Sequence, residues 1–394
     1  MPVLRAVIGL GITQIIGWGT TFYALGALSP DIIADRGWPK ALVFAAFSLA
    51  LLLSGLVSRA AGRAIDVYGG RRSMAAGSLL AAAGCTILGL AASPWIYFAG
   101  WAVLGLAMRF TLYDAAFPSL TQVAGPRSRR AISYLTLFGG LASTVFWPVS
   151  HLLSESIGWR NTFLVYAVLQ ILICLPIHLK VLVDKPVGPD RESAADERQP
   201  VGASPLIGRD RVTAIALFAT VVALNGLVFS SVSAHVVPLF ESLGFSSVMA
   251  VTLAAMIGPS QVASRIGDIL AGHRITTMAV GLIAVGLLPT ALFVFATGAF
   301  ALRFGVAFAI LYGMSNGLVT ITRGVVPLAL FGRDGYGLVL GTIAAPQLVL
   351  NALAPTLFAF LLDSSGPRTS LLVALAVSLL SLLAMIYLAR RYPR

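Results

Sequence analysis

The chain has 394 residues, of which 58% are hydrophobic and 11% charged, with a mean hydropathy of +0.91 and a formal charge of +12. A soluble globular domain carries about a quarter charged residues, so this composition excludes one. The positive charge does not point to nucleic acid either. The arginines punctuate apolar blocks instead of lining a polar domain, and no zinc spacing or aromatic-and-basic module occurs.

In chain order, apolar runs of roughly 18 residues or more read as membrane-spanning helices. They fall at 6–28, 40–61, 73–92, 95–123, 131–154 and 160–181, then at 212–240, 246–272, 276–297, 300–330, 336–362 and 369–389. Met1 to Arg5 is short and the run behind it is too long for a signal-peptide core, so the first span is expected to stay inserted. The expected fold class is all-α membrane protein, with twelve transmembrane helices in two six-helix bundles. The expected domains are 1–183, a linker at 184–211 and 212–394. Asp184 to Arg211 holds four prolines and eleven charged residues, a composition expected of a flexible cytoplasmic linker. Cys85 and Cys174 lie inside apolar runs, where small buried hydrophobes are a better reading than a disulfide or a metal site.

Lysines and arginines set the orientation. With the N-terminus in the cytoplasm, the cytoplasmic segments carry nineteen of them and the opposite side five: Arg36, Lys40, Arg160, Arg303 and Arg368. That imbalance places both termini inside. Only Arg109, Arg265 and Arg323 are left within spans.

The densest polar punctuation is Gly62 to Arg72, with Arg63, Asp66, Gly69, Gly70, Arg71 and Arg72 between two apolar runs. Its glycines permit a tight reversal. Arg63-x-x-Asp66-x-x-Gly69-Gly70-Arg71-Arg72 overlays Arg265-x-x-Asp268-x-x-Ala271-Gly272-His273-Arg274 at a constant offset of 202, and Pro118 has a counterpart in Pro327. Such repeats suggest two related six-helix halves.

The Gly62–Arg72 stretch resembles the loop between the second and third helices of major facilitator transporters, G-x-x-x-D-x-x-G-x-R-R. Tyr23-Ala24-Leu25-Gly26, Gly37-Trp38, Leu112-Tyr113-Asp114-Ala115-Ala116-Phe117, Phe146-Trp147-Pro148, Gly158-Trp159-Arg160 and Gly258-Pro259-Ser260-Gln261 are similar to bacterial members of the monocarboxylate-porter type. The resemblance covers nearly the whole chain and says little about substrate. It implies alternating access around a central cavity, with a proton or an exchanged anion as coupled solute. It also implies that Asp66 pairs with basic neighbours and a helix N-terminus of the other half, giving Gly62, Asp66, Gly69, Arg71 and Arg72 a conformational role. Two departures stand out. Gly139 to Pro148 does not reproduce the fifth-span signature of drug/proton antiporters, and the eleventh span offers Gln347 and Asn351 where oxalate-type members carry lysine.

A charge inside a span costs a few kcal/mol, roughly 2.5–3.5 on insertion scales, and therefore needs a reason. Arg109 reads as an anion-binding group, with a structural arginine as the alternative. Tyr113, four residues on, is expected on the same helix face. Gln261, Ser264, Arg265 and Asp268 form one polar stripe on the eighth span. The resemblance implies that Arg265 contacts a substrate carboxylate; the overlay with Arg63 leaves a structural role equally open. Asp114 is an acid whose charge state neighbours could tune. Asp114 and Arg323 each precede a proline by four residues, which suggests an ion pair between the halves acting in proton coupling or gating. Tyr312, Asn316, Thr320 and Arg323 form a second stripe; Gln14, Trp18, Thr21, Asn225, Gln347 and Asn351 are further polar groups on cavity-candidate spans. His151 and His235 read as interfacial packing.

The expectation is a secondary transporter of a small organic anion, a carboxylate by class, in a bacterial inner membrane. Substrate contacts are expected at Arg109, Tyr113, Arg265, Gln261, Asn316 and Asn351, with protons as a candidate coupled solute. The alternative is a proton-driven efflux antiporter for drugs or other amphipathic solutes. The expected partners are the solute and the lipid bilayer; the chain is expected to be a monomer without cofactor or metal. Scattered histidines, with no H-E-x-x-H or G-x-S-x-G, argue against an enzyme.

Overall fold

The computed structural model describes residues 2–184, 205–297 and 301–393, with no strand among them. The helices are α1 Pro2–Gly17, α2 Ala24–Arg36, α3 Lys40–Gly89, α4 Pro94–Thr111, α5 Tyr113–Ala124, α6 Ser128–Gly140, α7 Ala142–Leu169 and α8 Leu175–Val181. They continue with α9 Gly208–Ser242, α10 Ser247–Ala271, α11 Thr277–Thr297, α12 Leu302–Phe331 and α13 Tyr336–Arg391. Two π-helical turns, Trp18–Phe22 and Gln170–Cys174, sit between α1 and α2 and between α7 and α8.

Among the described residues, eight continuous helical stretches are apolar and long enough to cross a bilayer. Several are too long to cross only once. The 88 residues of Pro94–Val181 would reach about 130 Å at 1.5 Å per residue, against a hydrocarbon core of about 30 Å. Glycine supplies the reversals. Gly69 (φ 82°, ψ 161°), Gly158 (φ 79°, ψ 158°) and Gly366 (φ 79°, ψ 168°) share one conformation, in a region that only glycine adopts without strain. With the turn at Gly125 (φ 54°), these breaks divide the described residues into twelve spanning segments, as hydropathy indicates.

Gly62–Arg72, expected as a loop, is helical apart from Gly69. Gly62 and Gly70 serve close packing instead of reversal. A Cβ on Gly62 would lie 2.1 Å from the Gly337 carbonyl oxygen, and one on Gly70 2.4 Å from Ser119 Cβ. The fourth span also departs from expectation, because α4 and α5 are separate helices joined at Leu112 (φ −86°, ψ −170°).

The described residues fall into two compact units. One comprises those within Met1–Gly202 together with Arg333–Ala345; the other comprises those within Ala203–Gly332 and Pro346–Arg394. The first unit is cored by Trp101, Tyr97, Phe163 and Tyr166 with Leu28, Leu88 and Leu104, all fully buried. Trp101 meets Phe47 edge-on at 5.3 Å. The second is cored by Phe240, Phe295, Phe308 and Tyr312. Aromatic rings bury large apolar areas and hold preferred edge geometries. Most of the expected 184–211 linker lies outside the described residues. At its ends, Asp184 bonds to the first unit and Gly208–Arg211 already belong to α9.

Candidate functional site

In the first unit, α3 and α4 approach closely because Gly105 has no side chain; a Cβ there would lie 2.4 Å from the Ala50 carbonyl oxygen. Ser54 Oγ donates to the Gly105 carbonyl across the contact. One turn further on, Arg109 is 4% exposed. Its Nη1 donates to Ser58 Oγ at 3.1 Å and its Nη2 pairs with the Asp114 carboxylate. Its Nε is buried with no acceptor among the described residues. The pair bridges the break at Leu112: Arg109 ends α4 and Asp114 opens α5.

That break also separates Arg109 from Tyr113. Helical i, i+4 spacing applies only to a continuous helix, so the shared face expected from sequence does not form. Tyr113 is buried, donates its hydroxyl to the Thr136 carbonyl at 3.2 Å and stacks on Phe117 at 5.0 Å.

Asp66 lies between the second and third spans and receives two backbone amides from the start of α13, Gly337 N at 2.9 Å and Leu338 N at 2.7 Å. The first turn of a helix leaves such donors unsatisfied and favours a carboxylate. Burial raises the Asp66 carboxyl above the usual carboxylate range, and the Leu338 and Gly337 amides pull it partly back. The approach depends on small residues on both sides. A Cβ on Gly341 would lie 2.2 Å from the Ser58 carbonyl oxygen, and one on Gly337 2.5 Å from that of Gly62. Beside this clasp, the Arg71 amide donates to the Val183 carbonyl at 3.1 Å, and Arg71 and Arg72 reach Asp184 at 3.5 and 3.6 Å. These ion pairs are well exposed, so each contributes at most about 1 kcal/mol.

In the second unit, Arg265 is likewise 4% exposed, and its Nε donates to the Gly317 carbonyl at 3.4 Å. Here α10 and α12 meet at Gly313 and Gly317, whose missing side chains make room for Ile257, Gln261 and Ser264. Gln261, Asp268, Asn316 and Arg323 are half-buried on these two helices, and the Thr320 hydroxyl donates to the Asn316 carbonyl. Asn351 ties α13 to α9: with its amide turned to donate, it reaches the Gln347 and Gly226 carbonyls at 3.1 and 3.0 Å. Ser230 Oγ donates to the Asn351 carbonyl at 3.0 Å.

Several polar groups that sequence marked for a cavity sit between helices. Gln14, Thr21 and Asn225 are fully buried. Gln14 donates to the Thr111 carbonyl at 2.7 Å and accepts from Trp18 Nε1 at 3.2 Å. His151 is exposed beside Glu155 at 3.3 Å, and His235 lies against Phe358. Sequence reading missed Ser58, Tyr336 and the fully buried polar links Gln170–Thr20 (2.8 Å) and His178 between Ser78 (2.8 Å) and Thr13 (3.1 Å). Hydroxyl residues are common in apolar spans and gave no local signal; Gln170 and His178 did, as polar groups in an otherwise apolar sixth span. Among the described residues no His, Cys, Asp and Glu gather as a metal would need.

The family model described as Major Facilitator Superfamily matches residues 6–344. The crystal structure of the human organic anion transporter MFSD10 (TETRAN) is similar in fold, with a TM-score of 0.75 at 15% sequence identity, over 98% of this chain and 100% of that one. No curated protein sequence matches. Twelve helical segments, glycine reversals and a family match over most of the length lead to one assignment: the chain belongs to the Major Facilitator Superfamily, whose members are multi-pass membrane transporters.

Proposed function

We propose that this chain is a secondary transporter that moves a small organic anion, a carboxylate by class, across the membrane by alternating access. The observation that carries this reading is the pair of buried arginines. Arg109 and Arg265 are each 4% exposed in apolar spans, each at a close contact between two helices of its own unit. A buried guanidinium is costly and forks onto carboxylates, so two of them in such positions favour an anionic solute. The name of the human relative agrees with this chemistry; its low identity lends it no weight beyond fold.

Solute contact is assigned to Arg109 and Arg265, with Gln261 and Asn316 beside the second. Tyr113 and Asn351 are assigned to helix packing, since each spends its polar atoms on neighbouring backbone. Asp66, with Gly62, Gly69, Arg71 and Arg72, is assigned to holding one conformation. Asp114 and Arg323 are assigned to coupling or gating. A charge-swapped Asp114→Arg/Arg323→Asp variant that restores lost transport supports Arg323 as a second partner for Asp114. The charge imbalance read from the sequence supports both termini in the cytoplasm and an inner-membrane location.

The test is uptake by full-length protein in proteoliposomes, with a panel of mono- and dicarboxylates against cationic amphiphiles. Saturable carboxylate uptake, lost in Arg265→Gln, is the expected result. Transport of the cations with indifference to every carboxylate would replace this reading by efflux of amphipathic solutes.

A further inference from the structure

The first span is interrupted near its middle by the π-helical turn Trp18–Phe22, closed by the Tyr23 amide donating to the Trp18 carbonyl at 2.9 Å. Such turns are rare inside α-helices and recur at functional sites. The consequence here is geometric. At α-helical spacing Trp18 and Tyr23, five residues apart, would point about 140° away from one another; the wider turn brings both to one side. The rings of Trp18 and Phe22 meet edge-on at 5.3 Å, Tyr23 lies 6.2 Å from Trp18, and Phe47 of α3 closes on Phe22 at 5.4 Å. All four side chains are half-buried, so part of this aromatic surface stays accessible.

Aromatic belts of membrane proteins lie at the two interfaces. Trp18 lies away from both, near the middle of the 6–28 run. Its indole is fixed from behind: Nε1 donates to Gln14 Oε1 at 3.2 Å, and the fully buried Gln14 donates in turn to the Thr111 carbonyl. These contacts fall on the break between α4 and α5. Gln14 meets Thr111, a Cβ on Gly17 would lie 3.4 Å from Leu112 Cδ2, and Trp18 meets the Tyr113 ring at 5.3 Å. Those three consecutive residues lie between Arg109 and Asp114. The aromatic surface therefore adjoins the break that presents Arg109, whose Nε is a buried donor with no acceptor among the described residues.

An aromatic cluster by itself can receive a cation on its ring faces. The buried donor decides otherwise, because Arg109 Nε takes an acceptor and offers a cation nothing. Resting on the anion-transport reading above, we propose that the solute is an aromatic carboxylate, with its carboxylate on Arg109 and its ring against Trp18 and Phe22. Trp18 then sets a preference for flat aromatic acids over aliphatic acids of the same size. Ring pairs gain from edge-on or offset geometry beyond the apolar area they bury; a saturated ring of equal size gains the area alone.

The test is calorimetric binding to purified full-length protein, with benzoate, cyclohexanecarboxylate, lactate, benzamide and benzylamine. Benzoate should bind roughly threefold to tenfold more tightly than cyclohexanecarboxylate, as one well-placed ring pair provides, and more tightly still than lactate. Trp18→Leu should bring benzoate down to the level of cyclohexanecarboxylate, whereas Trp18→Phe keeps most of the preference. Trp95→Leu, at an exposed indole at the start of α4, should keep all of it. Equal affinities in wild type for benzoate and cyclohexanecarboxylate, or for benzoate and lactate, overturn the aromatic assignment and leave the anion reading standing. A preference that survives in Trp18→Leu of normal thermal stability overturns the role of Trp18. Benzamide or benzylamine binding as tightly as benzoate shows that the carboxylate is not read; the anion reading then fails, and the proposal with it. Binding of none of the five overturns both.

Discussion

The second span of each sequence half ends in related chemistry, and the two ends fold differently. In the first unit α3 runs on through Asp66 and reverses at Gly69, leaving Arg63 exposed. In the second unit α10 stops at Ala271, Gly272 turns the chain (φ 55°, ψ −121°), and Arg265, the counterpart of Arg63, is buried. The helix that approaches closely also differs. Gly62 faces the start of α13 from within the motif; its counterpart, Ser264, faces Gly317 on α12 instead. Arginine shows the same exchange. Arg109 reaches from α4 back to α3, whereas Arg265 reaches from α10 forward to α12. The second and fourth spans of each half pack together in both, while the helix that donates the charge switches. The role of a motif is set by what packs on it.

The sharpest break in this comparison is expected at the two glycine turns. Gly69→Ala places a Cβ 2.1 Å from the Asp184 carbonyl oxygen, whereas nothing lies within 4 Å of one on Gly272. Both substitutions carry backbone strain of order 1–3 kcal/mol; only the first adds a collision with backbone. Gly69→Ala should lower uptake more than about tenfold, with a large loss of thermal stability, and Gly272→Ala should show the strain alone. Equal losses in a melting assay would mean that the packing around Gly69 yields and the contrast is unimportant.

Much of the architecture is legible in the sequence because lipid imposes a simple demand. A span needs about 18 or more apolar residues, and a reversal without strain needs glycine. Arg109, Asp114 and Arg265 stand out for the same reason, as charges where charge is expensive. The partners do not stand out. Ser58 is one hydroxyl among many, and Asp66 meets Gly337 and Leu338 across more than half the chain. The break at Leu112 carries neither glycine nor proline; an ion pair across it replaces the continuous helix that the spacing suggested. The overlay of Arg63 with Arg265 was visible, but sequence could not tell an arginine facing out from one turned inward.

Asp66→Ala tests the next contrast. It removes the acceptor for two amides at a helix start, and charged hydrogen bonds contribute about 1.5–3 kcal/mol each when well shielded. Allowing for the partial exposure of Asp66, a loss of order 2 kcal/mol shifts a two-state equilibrium about thirtyfold. Maleimide labelling at Leu338→Cys should rise accordingly, with the thermal transition little changed; an unaltered rate would show that the amides are held by other means. Close behind stands the arginine pair. Arg265→Gln should cost roughly tenfold or more in uptake and Arg63→Gln less than about twofold, because only the first vacates a buried donor position. A reversal of that order would return Arg265 to the role of a surface charge.

The smallest effect concerns acid. Burial raises the Asp66 carboxyl in the clasped state, with the Leu338 and Gly337 amides opposing only in part. Once released to water the group returns to the ordinary carboxylate range. The clasped form therefore holds a proton more tightly, and the contribution of Asp66 favours the clasp at low pH and fades as pH rises through the raised value. It should emerge as a fall in Leu338→Cys labelling, in a Cys85→Ser/Cys174→Ser background, as pH is lowered, after correction for thiol reactivity. The fall should vanish when Asp66→Asn is added. Labelling that quickens with acid instead would require a proton site other than Asp66, and would separate this carboxyl from the pH response of the clasp.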